Sequence, residues 1–336
     1  MEQIKKPALD AAELLKETFW NSRYAKIQSL VIILAFVFMA LYIPNFTTSF
    51  GPIFAAWTMC YVILTISWDF FSGKTGYMSL ATGAFYGLGM YMQAVYGRQI
   101  PLWGVMLLSA AVSFAVGYVI GVLTLRLRGI YFTIFTFGLV LSLNKFVHWY
   151  EGVFTRTKGR MVKPYSSETI FFAILIVFII TLVAILIINK SRFGLALKCI
   201  GQNEDSAQHI GVNTTRTKLL AFALSAAPAG VVGSLMSSTI GYIDADIAFR
   251  LLASFFPVLM AIFGGIGTLY GPIMGSVIFY VLQYYLIRST PFYMIIFGAI
   301  MVLTVLLMPK GVFGTIESVA TKRRRDYERK KVIGDA

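Results

Sequence analysis

The chain has 336 residues, of which 58% are hydrophobic and 13% charged, against about 25% charged in soluble proteins. That composition excludes a soluble enzyme and defines an integral membrane protein. The net charge of +14, from 29 Lys and Arg against 15 Asp and Glu, lies mainly in loops beside apolar spans, so topology explains it without nucleic acid.

The first 26 residues mix acids with bases, and no small-residue cleavage pattern follows the first apolar run, so they are expected to stay attached. Leu9, Ala12, Leu15, Phe19 and Trp20 fall near one helical face, which predicts a helix lying on the membrane or against the bundle's inner side. Apolar runs of spanning or near-spanning length follow at 27–43, 50–71, 78–96, 101–125, 130–149 and 169–188.

Residues 189–218 form the one long polar stretch between spans, with Lys190, Arg192, Lys198, Arg216 and Lys218 against Glu204 and Asp205. The excess of bases marks a cytoplasmic loop. Asn203 is a good N-cap, Glu204 and Asp205 suit the positive end of a helix dipole, His209 suits the last turn, and Gly211 stops the helix. A short capped helix of about two turns is therefore expected in the loop.

A seventh span, 219–240, carries Pro228, where a kink is expected because proline removes one ladder bond. Residues 254–288 are too long for one span, and GGIGTLYGP in their middle predicts two short or broken helices. A last span covers 291–308, and the tail with Lys310, Lys322, Arg323, Arg324, Arg325, Arg329, Lys330 and Lys331 reads as cytoplasmic. With both termini inside, the count is even. The expected fold is an all-α polytopic bundle of about ten transmembrane helices, with segments 1–26 (cytoplasmic, amphipathic), 27–308 (membrane domain) and 309–336 (basic tail). Arg156, Lys158, Arg160 and Lys163, in the outer loop 150–168, run against the charge rule. Small residues four apart, such as Gly117 and Gly121 or Ala226 and Gly230, predict closely packed helices.

Few side chains inside the spans carry chemistry. Asp69, near the inner end of the second span, is expected to reach the interface, and Lys145 and His148 to snorkel outward. Asn144, Gln93 and Gln283 suit helix-to-helix hydrogen bonds. Ser79, Thr82, Thr133 and Thr136 either line a small polar path or only bond their own helix backbone. Ser72-Gly73-Lys74-Thr75 ends like a phosphate-binding loop, but Trp68 stands where its first glycine belongs. Cys60 and Cys199 are not placed to pair, and no metal-ligand cluster or nucleophile elbow is present.

Several segments resemble known permeases. Asp205-Ser206-Ala207 followed by Gly211 resembles the EAA-x-x-x-G coupling loop of ABC importer permeases. Gly73 to Leu80 with Ala84, Phe85, Gly87 and Gly89 resembles the G-x-x-G-Q-x-S-L segment of LivM-type branched-chain amino acid permeases. Leu125 to Phe132, Lys218 to Phe222 with Ser225-Ala226, Gly264 to Pro272, and Pro309-Lys310-Gly311 resemble further blocks in the same order. Tyr77 departs from the usual glutamine, Ala81 from glycine, and Asp205-Ser206 from Glu-Ala.

The resemblance implies a type II-like permease subunit of an ATP-driven importer in a bacterial-type inner membrane, working with a second permease subunit, two cytoplasmic ATPases and an external solute-binding protein. ATP and magnesium would sit on the ATPases, leaving this chain without a cofactor, surrounded by lipid and unbound to nucleic acid. Gln202, Asn203, Glu204, Asp205, Ser206, Ala207 and Gly211 would form the docking helix, and a bulky acidic residue or a helix break at Ala207 is expected to abolish substrate-stimulated ATP hydrolysis. The implied substrates are branched-chain or related hydrophobic amino acids, then urea, short amides or other small solutes. An ion-gradient-driven carrier is the alternative, although the mid-span Asp or Glu usual in such carriers is missing.

Overall fold

The computed structural model describes residues 50–289, apart from 128 and 157, and a few positions between 292 and 311. The expected helix at 8–20, the span 27–43, nearly all of 291–308 and the basic tail lie outside the described residues.

α1 (Phe50–Trp68) has no polar face, as befits a helix buried on all sides, and it widens into a π-helical turn, Asp69–Gly73. A non-helical segment, 76–81, then breaks the path before α2 (Thr82–Tyr96). α3 (Leu102–Thr124) and α4 (Ile130–Tyr150) follow. β1 (Arg160–Met161) leads to α5 (Ser167–Lys190), which Ser166 caps by accepting from Thr169 N. The polar stretch folds as α6 (Arg192–Gln202) and α7 (Glu204–His209). α8 (Thr214–Ile240) comes next, then β2 (Tyr242–Ile243), which pairs antiparallel with β1, and the single turn α9 (Ala245–Ala248). α10 (Leu252–Gly264) and α11 (Tyr270–Ser289) divide the long 254–288 run as the glycines predicted.

Seven of the described helical stretches are long and apolar enough to cross a membrane. The expectation of ten differs for two reasons. Its first and last spans fall outside the described residues, and 78–96 yields only the 15-residue α2 because the chain from 76 to 81 is not helical.

α8 is the central helix, packed against α2, α3 and α5. Its crossings are as close as the small residues implied. A Cβ on Gly89 of α2 would lie 1.8 Å from the carbonyl oxygen of Gly230, and one on Gly117 of α3 would lie 2.9 Å from the Ala226 Cβ. Between these helices and the break after α1, Phe71, Phe85, Phe132 and Phe222 form an aromatic cluster. Its ring centroids are 5.1 Å apart for Phe71 and Phe222 and 5.6 Å for Phe85 and Phe222. A second cluster, centred on Met260 and Phe279, joins α10 and α11 to Tyr61 of α1.

Asp69 turns into the bundle and not out to its surface. It is buried, and its Oδ1 accepts from Gly267 N at 2.8 Å, in the glycine-rich turn between α10 and α11. The carboxylate thus satisfies a backbone donor that the broken helix leaves over, which holds it inside. Lys145 is exposed, whereas His148 lies 3.3 Å from Asp246. Asn144 makes the inter-element bonds expected of it, donating to Ala245 O (2.9 Å) and Asp246 Oδ1 (3.0 Å). The basic loop 150–168 folds around an internal acid: the buried Glu151 accepts from Gly159 N at 3.2 Å and faces Arg160 Nε at 3.7 Å.

Candidate functional site

α6 begins at Ser191, whose hydroxyl accepts from Gly194 N at 3.3 Å. Gly194, Leu197 and Ile200 form its buried face, while Arg192, Leu195 and Lys198 are exposed. At its end Gly201 touches the turn after α1: a Cβ there would lie 1.9 Å from Lys74 O, a contact that only glycine permits.

α7 is stopped at both ends by side-chain and backbone chemistry that the sequence announces. Asn203 Oδ1 accepts from Ser206 N at 2.9 Å. At the other end Gly211 takes φ +88°, with Gly211 N donating to Gln208 O (2.9 Å) and Val212 N to Ala207 O (3.0 Å). This pair of bonds is a Schellman closure, and it needs a left-handed residue at position 211. The short helix is therefore held in one conformation without relying on intrinsic helix propensity.

One face of α7 is tied to the bundle. Glu204 Oε1 lies 2.5 Å from Lys218 Nζ at the base of α8, and Glu204 Oε2 accepts from the Tyr77 hydroxyl at 2.6 Å. Lys218 Nζ also donates to the Tyr77 oxygen at 3.0 Å and stands 4.4 Å from the centre of its ring. The Lys218 side chain is 3% exposed and that of Glu204 16%. Three residues from α7, α8 and the non-helical segment thus close a hydrogen-bonded triangle in a largely desolvated place.

Ala207 also turns inward, at 1% exposure. It packs α7 onto its own chain and is not part of an outward surface. That surface is made by Asp205, Ser206, Gln208 and His209 with Ile210, which is 71% exposed. Gln202, at the end of α6, is exposed beside them.

The four candidate path hydroxyls gather around the non-helical segment, where unpaired backbone in an apolar bundle would be costly. Thr133 Oγ1 donates to Met78 O (2.9 Å), Thr136 Oγ1 accepts from Leu80 N (3.0 Å), and Ser79 Oγ accepts from Ala81 N (3.2 Å). Trp68 Nε1 adds a bond to Ser79 O at 2.7 Å. Ser79 and Thr82, with Ser72 and Ser225, line a cavity of about 10 Å³. Thr133 and Thr136 hold backbone, while Ser79 and Thr82 border a void about the size of one water.

Lys218, Tyr77 and Ile210 escaped sequence reasoning as members of the site. Tyr77 carried a usable signal, being a departure from a resembling pattern. Lys218 carried one too, as a base at the start of an apolar span. Their meeting with Glu204 joins positions 77, 204 and 218 and needs tertiary structure to be seen. Among the described residues, no group of His, Cys, Asp and Glu could hold a metal ion.

Long apolar helices broken at two glycine-rich places, with a capped polar helix fastened across one end, define a polytopic membrane protein of the transport-permease class. Residues 53–305 match the family described as branched-chain amino acid transport system / permease component, and the chain belongs to that family. Among its relatives is the high-affinity branched-chain amino acid transport system permease protein LivM of Salmonella typhimurium, 26% identical over 91% of this chain and 77% of that protein. The LivH permease of the Escherichia coli system is 26% identical over 76% of this chain and 92% of its own length. The autoinducer 2 import system permease protein LsrC of Yersinia enterocolitica is 27% identical over 56% of this chain and 53% of that protein. No solved structure matches the chain.

Proposed function

We propose that this chain is one of two permease subunits of an ATP-binding-cassette importer for branched-chain or related hydrophobic amino acids. In this reading 189–218 faces the cytoplasm, as do both termini, in a bacterial-type inner membrane. The outward face of α7 enters a groove on one of two ATPases, which hold the ATP and magnesium, and an external binding protein delivers the solute. The observation that carries the reading is the fastening of α7: a helix stopped at both ends and bound through Glu204 to Lys218 and Tyr77 moves with α8 and with the break before α2. Closure of the ATPases would then reach the spans as rigid-body motion.

The test is Ile210→Glu in the reconstituted complex. The variant should insert normally and lose substrate-stimulated ATP hydrolysis, and unchanged stimulation would refute docking through this face. A second reading, of the substrate alone, is favoured by the similarity to LsrC of the autoinducer 2 import system: a solute other than an amino acid. Tyr77 does not separate the two, because its hydroxyl is bound to Glu204 and Lys218. Titrating leucine and small polar solutes against the cognate solute-binding protein does separate them.

A further inference from the structure

At the end of the bundle that carries α6, Asp69, Lys74, Asn189, Lys198 and the Gly267 turn line a polar cavity of about 170 Å³. The Asp69 carboxylate is engaged by Gly267 N. Lys74 donates to Asn189 Oδ1 and lies 4.8 Å from the centre of the Phe70 ring. Burial lowers the Lys74 ammonium to about 8; Asp69 pulls it back up and Lys198 pushes it down further. Two lysines against one carboxylate leave this half-buried place with an excess of positive charge.

A second cavity of about 330 Å³ adjoins the first and shares Phe70 and Ile185 with it. Its walls come from α1, α3, α5 and α8 and are almost wholly apolar, Met106, Ala184 and Pro228 among them. It opens sideways from the bundle, for two of its lining residues, Leu107 and Ile180, are 74% and 62% exposed. Along α5 it runs from Val177 to Ile188, which at 1.5 Å per residue is about 16 Å. One leaflet of a bilayer's hydrocarbon core is about 15 Å thick.

We propose that the two cavities together hold one anionic phospholipid, its phosphate on Lys74 and Lys198 and one acyl chain in the crevice between α1, α3, α5 and α8. The charge of the polar cavity selects an anion, and the apolar crevice beginning at its edge selects one that carries a hydrocarbon chain. A phosphate takes the donors that Lys74 does not spend on Asn189 and relieves the repulsion between the two lysines. The inference goes beyond the coupling role of α7 and does not depend on it.

The test is native mass spectrometry of the full chain in detergent, with phosphatidylglycerol, phosphatidylcholine of the same chains, or inorganic phosphate added. The wild type should retain one phosphatidylglycerol at least tenfold more tightly than phosphatidylcholine. Lys74→Gln with Lys198→Gln should abolish that preference. Ala184→Trp, which fills the crevice from an exposed position, should weaken both lipids at an unchanged circular-dichroism spectrum. Equal retention of the two lipids, an unaffected double variant, or inorganic phosphate stabilising the chain as well as phosphatidylglycerol does would each overturn the proposal. So would efficient cross-linking of Ile180→Cys to the other permease subunit in the assembled complex, which would show that protein covers the crevice.

Discussion

Replacing Glu204 by Gln keeps the shape of the triangle and removes the charge that Lys218 needs. Lys218 is 3% exposed, so its ammonium stays desolvated, with the Tyr77 oxygen as a neutral acceptor. Breaking a buried pair by removing one partner costs about 3–5 kcal/mol. The lower end applies, because Glu204 retains some contact with water at 16% exposure. At about 1.4 kcal/mol per decade, 3 kcal/mol is about a hundredfold in the opening of α7 from the bundle. Lys218→Met leaves a partly hydrated Glu204 with the Tyr77 hydroxyl and should cost about 1–3 kcal/mol. Tyr77→Phe removes one hydrogen-bonding group and should cost about 1 kcal/mol. Combining Glu204→Gln with Lys218→Met removes both charges, so the double variant should be more stable than Glu204→Gln alone. Amide hydrogen exchange at Ser206 to Gly211 in nanodiscs reads each opening equilibrium. A change below threefold in Glu204→Gln, or a double variant whose cost is the sum of its singles, would refute the claim that a buried ion pair fastens α7.

Asn203→Ala removes the cap on Ser206 N and should destabilise α7 by about 1 kcal/mol, read as faster exchange of its first-turn amides. Gly211→Ala has room for its Cβ but must take φ +88°; it should cost about 1–2 kcal/mol, whereas a d-alanine placed there by semisynthesis should cost nothing. Asp69→Ala strands Gly267 N in the turn between α10 and α11 and should lower thermal stability by about 1–3 kcal/mol, while leaving the exchange of α7 unchanged. With Lys74 near 8 in the folded chain and near 10.4 when unfolded, the folded state binds fewer protons between those values. The wild type should therefore gain stability over Lys74→Met from about pH 8 to about pH 10 in lipid-free detergent, with no further change in that difference just below pH 8, as read in a thermal-unfolding series.

Spans and caps were legible because one residue or a local run determines them. Apolar length located α3, α4, α5 and α8, and the glycines of 264–272 located the division between α10 and α11. Asn203 and Gly211 bounded α7 because capping is a relation between residues three or four apart. The break before α2 was not legible, since Met78 to Ala81 is apolar enough to continue a helix. What holds it out of a helix is a set of bonds with Trp68, Thr133 and Thr136, the last two more than fifty residues away. The burial of Asp69 was not legible for the same reason: its partner is Gly267, far along the chain. The inward turn of Ala207 was not legible because a six-residue helix is too short to show an apolar stripe.

The central claim, that the outward face of α7 meets an ATPase, is tested most directly by a short-span cross-link from Gln208→Cys in the assembled complex. Cys60 and Cys199, both free, are first replaced by Ser. The account predicts that position 208 cross-links to an ATPase subunit and that Ile210→Glu abolishes the product. Assembly and stimulated ATP hydrolysis with no ATPase cross-link from position 208 would contradict it.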